Sequence, residues 1–218
     1  MRISENLKHI KDQLPPEVVL VAVSKTKPVK DLMEAYNSGQ RIFGENKIQE
    51  MESKWQEMPK DIEWHMIGHV QTNKVKYMAP FVSLIHAVDS LKLVKEINKQ
   101  AEKNNRIIEC LLQVKIASEE SKFGLNETDA SILLASEEVK NFQNVKIVGL
   151  MGMATFTDDE AQLQNEFQKL KKCYDQWKTP FNLKVLSLGM SGDYKLAIEN
   201  GSTMVRVGSS IFGTRNYS

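Results

Sequence analysis

The sequence predicts one α/β domain over residues 1–218, a single (β/α)8 TIM-type barrel with an extra N-terminal helix. Three observations predict it. Short β-branched runs alternate with helical periods from about residue 18 onward. The runs are apolar throughout rather than strictly alternating, as befits strands covered on both faces. No low-complexity stretch or Pro/Gly/Ser-rich linker divides the chain, and 218 residues suffice for eight strand–helix units. An open doubly wound sheet is the alternative arrangement.

Ile3, Leu7, Ile10 and Leu14 recur at helical spacing, and Pro15-Pro16 stops that first helix. Strand 1 is expected over residues 18–24, followed by a helix over 28–37 that Gly39 caps. Strand 2 covers 41–44, with a helix from near Lys47; strand 3 covers 62–67, with a helix around 73–78. Strand 4 covers 84–88, and Ser90 is a plausible N-cap after it. Strand 5 covers 107–116 and its helix 129–140. After strand 6, over 146–151, Leu163, Phe167, Leu170, Tyr174 and Trp177 form one helical stripe, with Thr157 and Glu160 as its capping box. Strand 7 covers 184–188 with a short helix over 194–199, and strand 8 covers 203–207.

Lys+Arg is 29 and Asp+Glu is 28, a balance that offers no field for nucleic acid or anionic lipid. Lys169, Lys171 and Lys172 cluster on a helix and read as a solvated face. The two cysteines, Cys110 and Cys173, stand in no metal or redox spacing, so a reducing compartment fits. The first residues carry no apolar signal region, and the longest aliphatic run, 18–23, is far short of a bilayer span. A cytoplasmic location and no membrane partner are expected.

Chemistry in such barrels sits at the C-terminal ends of the strands. Lys25 follows an aliphatic strand directly. Apolar walls favour the neutral, nucleophilic amine, although a solvated strand-end lysine is the ordinary reading of Lys25 alone. Lys27, next to Pro28, is expected to be exposed. Gly44-Glu45-Asn46 suits close backbone approach to a ligand and equally a tight turn with Asn46 as helix cap. His65 lies inside an apolar strand and can point into the mouth, though a satisfied core histidine is the commoner case. His65 and His69 have the spacing of helical metal ligands, but the segment reads as strand and turn, so no metal is expected.

Strands 7 and 8 end in similar loops, Gly189-Met190-Ser191-Gly192 and Gly208-Ser209-Ser210. Barrels frequently hold phosphate at this pair of loops. Closure sets strand 8 beside strand 1, and therefore Lys25 beside this loop and near Arg206. An amine, an arginine and a phosphate cradle suit an aldehyde that carries a phosphate. Pyridoxal phosphate is such a molecule, requiring a Schiff-base lysine, a phosphate site and a partner for its ring nitrogen.

At these residues the chain resembles the pyridoxal phosphate homeostasis proteins, single-domain relatives of the alanine racemase barrel. The segments are 21–28 around Lys25, 43–50 from Phe43 to Glu50, 64–74 around His65, 187–191 ending at Ser191, and 205–213 around Arg206. The matches run from strand 1 to strand 8. Ser209 stands where threonine is frequent, which keeps the hydroxyl, and Met66 where an aromatic is common. The resemblance implies a Schiff base on Lys25 and Arg206 at the pyridine nitrogen. It implies Ser191, Gly208 and Ser209 on the phosphate and Asn46 beside the ring; His65 and Met190 complete the expected cofactor-binding set.

A permanent cation at the ring nitrogen weakens the ring as an electron sink. The related racemases add a second domain and take a tyrosine from a partner subunit, whereas this chain reaches Ser218 directly after strand 8. The expectation is therefore a pyridoxal phosphate-binding protein of vitamin B6 and amino-acid homeostasis with little or no turnover. It is expected to be a monomer, with recipient apo-enzymes as candidate partners. An amino-acid racemase using His65 or Tyr194 is the alternative, and a cofactor-free Schiff-base aldolase a third reading.

Overall fold

The structure, a computed structural model, describes residues 2–119 and 123–214. Eight parallel strands close into a barrel in sequence order: β1 (Val19–Val23), β2 (Ile42–Glu45), β3 (Glu63–Met66), β4 (Val82–Val88), β5 (Ile108–Gln113), β6 (Val145–Met151), β7 (Val185–Met190) and β8 (Met204–Val207). The helix α1 (Ile3–Asp12) precedes the barrel. The crossovers are α2 (Val29–Asn37), α3 (Ile48–Glu57), α4 (Val75–Met78), α5 (Leu91–Lys103), α6 (Glu127–Ala135), α7 (Glu137–Lys140), α8 (Glu160–Trp177) and α9 (Tyr194–Glu199). A one-turn helix, α10 (Ser209–Phe212), follows β8. The open doubly wound sheet is thereby excluded: β1 pairs directly with β8, with Val21 opposite Arg206 and Ala22 opposite Val207.

Two apolar layers hold the barrel. Inside it, Val21, Leu84, Leu111, Val148, Met151 and Met204 pack across the axis. Outside it, the helices bury their stripes on the sheet; Leu163, Phe167, Leu170, Tyr174 and Trp177 of α8 are all buried. Strands enclosed on both faces must be apolar on both, so alternation is weak in the sequence.

Several local expectations shift. Strand β5 ends at Gln113, because Val114 leaves the ladder to bridge Leu125. Ile107, expected to begin that strand, is exposed. The helix expected over 129–140 is two helices, broken at Ser136, whose ψ of 124° is not helical. The α8 cap is Asp159, whose Oδ1 accepts from the Ala161 and Gln162 N–H groups, rather than Thr157 in a box with Glu160. The turn before α4 begins as a 3₁₀ turn at Thr72–Lys74. The Ser90 cap and the left-handed Gly39, at φ +87°, are as expected. No helix among the described residues is long and apolar enough to cross a membrane.

Gly149 lets β6 and β7 pack together: a Cβ there would lie 2.0 Å from the Val185 carbonyl oxygen. Backbone cannot yield as a side-chain tip can. Gly149→Ala is therefore expected to destabilise the barrel by at least about 1–3 kcal/mol. Urea unfolding would read it, and an unchanged midpoint would contradict this packing.

Candidate functional site

A cavity of about 680 Å³ opens at the C-terminal ends of the strands. Lys25, Asn46, Met190, Ser191, Arg206, Gly208 and Ser209 all line it. Seven of the eight residues expected from the sequence thus meet in one place. His65 does not line it; it is buried beneath, 3% exposed.

Lys25 leaves β1 between Ser24, fully buried, and Thr26, which adopts a left-handed φ of +64°. Lys27 is more constrained than its place beside Pro28 suggested. Its Nζ donates to the Phe212 and Thr214 carbonyls at 2.9 and 3.2 Å, tying the β1 loop to the end of α10. Asn46 is not the cap of α3, a place taken by Lys47; it lines the mouth instead. A Cβ on Gly68 would fall 2.4 Å from the Asn46 carbonyl oxygen, so that loop approaches only because residue 68 is glycine.

The β7 and β8 loops interlock. Gly208 N–H donates to Ser191 Oγ at 3.0 Å, and a Cβ on Gly208 would crowd the Val23 carbonyl oxygen at 3.1 Å. Ser209 and Ser210 open α10, so their N–H groups have no preceding helical carbonyl to bond. With the Ser191 and Ser209 hydroxyls they present a donor-rich wall. The Asp193 carboxylate nearby is turned into the loop, where it accepts from the Met190 N–H.

Arg206 is 4% exposed and rigidly held. Its Nη1 donates to the Ser187 carbonyl at 3.0 Å and to Ser187 Oγ, and its Nη2 donates to the Gly152 carbonyl at 2.9 Å. Three of its five N–H groups are so used. Burial lowers its pKa to about 10, with Asp193 opposing, and the guanidinium stays charged at neutral pH.

Behind Arg206 runs a chain that sequence reasoning missed. Ser187 Oγ lies 3.3 Å from His86 Nδ1, and His86 Nε2 lies 3.0 Å from His65 Nδ1. Burial lowers His65 to about 3 and also lowers His86, where His65 and Arg206 add to the effect. Both imidazoles are therefore neutral. Ser187 Oγ accepts from Arg206, and the tautomers of the two imidazoles set the sense of the contacts beyond it. The only hint in the sequence is a polar residue set between apolar neighbours in each strand.

The opposite wall was also missed. Gln113 ends β5, and Phe123, Met153, Thr155 and Phe156 come from the loops after β5 and β6. Phe123 stacks on His69 with centroids 4.8 Å apart, and Phe156 is 93% exposed at the rim. Glu166 of α8 secures this wall: it accepts from Thr155 N and Oγ1, at 2.7 and 2.8 Å, and from Ser118 N at 3.1 Å.

Residues 1–216 match the family described as alanine racemase, N-terminal domain. A pyridoxal phosphate homeostasis protein of Vibrio alginolyticus is 40% identical over 233 aligned residues, which cover 99% of each chain. Its namesake in Aquifex aeolicus is 39% identical over 91% of this chain and 87% of its own. The solved structure of PipY from Synechococcus elongatus PCC7942 with bound pyridoxal phosphate has a TM-score of 0.88 at 34% identity, covering 97% of this chain and all of that one. An alanine racemase of Clostridium difficile, 13% identical, shares the fold at TM-score 0.80 over 58% of its length.

Burial pushes the Glu166 carboxyl upward, but the bonds from Thr155, Gln162 and Ser118 outweigh it and hold its pKa below the ordinary carboxylate range. A depressed folded-state pKa stabilises above the unfolded value of about 4.3 and is lost as pH falls through the folded value. Glu166→Gln is expected to remove this contribution and flatten the acid limb of stability below about pH 4.3. An acid limb identical to that of the parent would contradict it.

Proposed function

We propose, for a chain that belongs to the alanine racemase N-terminal domain family and within it to the pyridoxal phosphate homeostasis proteins, that it binds pyridoxal 5′-phosphate on Lys25 and serves vitamin B6 and amino-acid homeostasis with little or no turnover. The observation that carries this reading is the meeting of the Lys25 amine, the Arg206 guanidinium and the Ser191–Ser209 donor wall in one cavity. That donor set fits the group: an amine for the aldehyde, hydroxyls and free backbone N–H groups for the phosphate, and a fixed cation for the ring.

The cofactor, when bound, offers an aldehyde to an amine and a ring that can draw electron density from the bond it makes. Lys25 is the covalent anchor, held as a Schiff base. Ser191 and Ser209 hold the phosphate, and Gly208 lines its cradle with no side chain in the way; the bond from Gly208 N–H occupies a lone pair of Ser191 Oγ and leaves its hydroxyl proton for an anion. Asn46 and Met190 flank the ring. Arg206 faces the ring nitrogen, and its retained positive charge opposes a proton there. His65 acts on the cofactor only through His86, Ser187 and Arg206.

Arg206 disfavours aminotransferase chemistry, which draws on a protonated ring, while the racemase alternative's two candidates stand off the cavity: His65 lies beneath it. Tyr194, the other candidate, is 7% exposed with its hydroxyl on Gln13 Oε1, away from the cavity. We further propose a cytoplasmic monomer whose macromolecular partners are recipient apo-enzymes.

Purified protein incubated with pyridoxal phosphate is expected to turn yellow, and borohydride to fix the label on Lys25. Lys25→Ala should stay colourless. A colourless parent would defeat the proposal. With L-alanine in deuterated water, no sustained Lys25-dependent exchange at Cα is expected; its appearance would establish the racemase instead. Arg206→Ala should keep covalent attachment yet shift the visible band, and loss of all bound cofactor would assign Arg206 to the phosphate.

A further inference from the structure

Behind β1 and β2 lies a buried charge cluster that lines no part of the cavity, yet its bonds converge on the two residues flanking Lys25. Lys54 of α3 is 5% exposed. Its Nζ donates to the Ser24 carbonyl at 2.8 Å, to Glu45 Oε1 at 2.7 Å and to Glu50 Oε1 at 2.7 Å. An ammonium has three N–H groups, and all three are spent. Ser24 Oγ donates to Glu45 Oε1 at 2.6 Å, and the Thr26 N–H donates to Glu50 Oε1 at 2.6 Å. Ser24 is thus held through its hydroxyl and carbonyl, and Thr26 through its amide.

Two costs mark the cluster as more than a core feature. Thr26 is β-branched and left-handed, a conformation such residues avoid unless the surroundings enforce it. Glu45 Oε2 is buried with no hydrogen-bond partner among the described residues. A fold seeking stability alone gains more from apolar packing at such a place.

We propose that Lys54, Glu45 and Glu50 form a clamp that fixes the backbone on both sides of Lys25 and so aims its amine into the cavity. They are positioning residues. Glu50 and Lys54, four apart on one face of α3, bring the helix to the β1 loop, while Glu45 brings the end of β2. The inference rests on the reading of Lys25 as the attachment point.

The test uses the whole chain and three readouts: amide exchange at Thr26 by NMR, acetic anhydride labelling of Lys25 without cofactor, and the rate of borohydride-trappable capture of pyridoxal phosphate. Lys54→Met strands a buried carboxylate and is expected to unsettle the barrel, so the Glu50 variants carry the test. Glu50→Ala removes the acceptor. Thr26 exchange should rise roughly tenfold, as for loss of a charge-assisted bond, and both Lys25 labelling rates should change, with strand amides unaffected. Glu50→Gln keeps a carbonyl acceptor and should restore most of the parental behaviour.

Unchanged Thr26 exchange and Lys25 labelling in Glu50→Ala would overturn the clamp. So would a uniform loss of protection across the strands, or a Glu50→Gln variant no better than Glu50→Ala. If the parent captures no pyridoxal phosphate at Lys25, the proposed function fails on that readout, while exchange and acetylation still decide the clamp.

Discussion

Closure of the sheet is the constraint on which the site depends. The pairing of β1 with β8 sets Val21 opposite Arg206 and Ala22 opposite Val207. Three residues beyond Ala22 the chain reaches Lys25, and two beyond Val207 it reaches Ser209. Residues 25 and 209 are separated by most of the sequence, and only the last strand-to-first-strand pairing makes them neighbours. Lys27, bonded to the carbonyls of Phe212 and Thr214, adds a second tie between the same two loops.

Around that junction the protein accepts charge in its interior and satisfies it in two ways. The direct bonds of Arg206 go to neutral acceptors, two carbonyls and a hydroxyl backed by two neutral imidazoles, and Asp193 acts on it only from outside that shell, so its positive charge is held without a paired carboxylate among these bonds. Lys54 is paired with carboxylates and so contributes geometry rather than an outward field. Charge uncancelled at a cavity wall acts on a ligand, whereas charge cancelled behind it fixes the scaffold.

What the sequence revealed follows from which interactions are local. Strand–helix alternation, the α8 stripe and the glycine-serine loops after β7 and β8 are local patterns, and the structure contains each. The mouth residues were found because barrel topology fixes where strand ends lie. Lys25 alone looked like an ordinary solvated lysine; its neighbours across the closure gave it meaning. The His65–His86–Ser187 chain was not legible, because spacing within a strand does not say which polar residue of another strand it will meet. Glu50 and Lys54 would pass for a surface pair four apart, and only the docking of α3 on β1 and β2 buries Lys54 and partly covers Glu50. Thr157 and Asp159 are both good caps two residues apart, and local sequence does not choose between them. Phe123 and Phe156 lie in loops with no periodicity to read.

The central claim is that the β1 amine and the β7–β8 donor wall act on one molecule. Its most direct measurement is the affinity for pyridoxal phosphate against that for pyridoxal, which has the same aldehyde and ring but no phosphate. Both are followed by trapping on Lys25 and peptide mapping. The account predicts capture on Lys25 and a preference of roughly a hundredfold for the phosphorylated form, the worth of one or two charge-assisted bonds. Equal capture of both aldehydes, or label spread over other lysines, would contradict it.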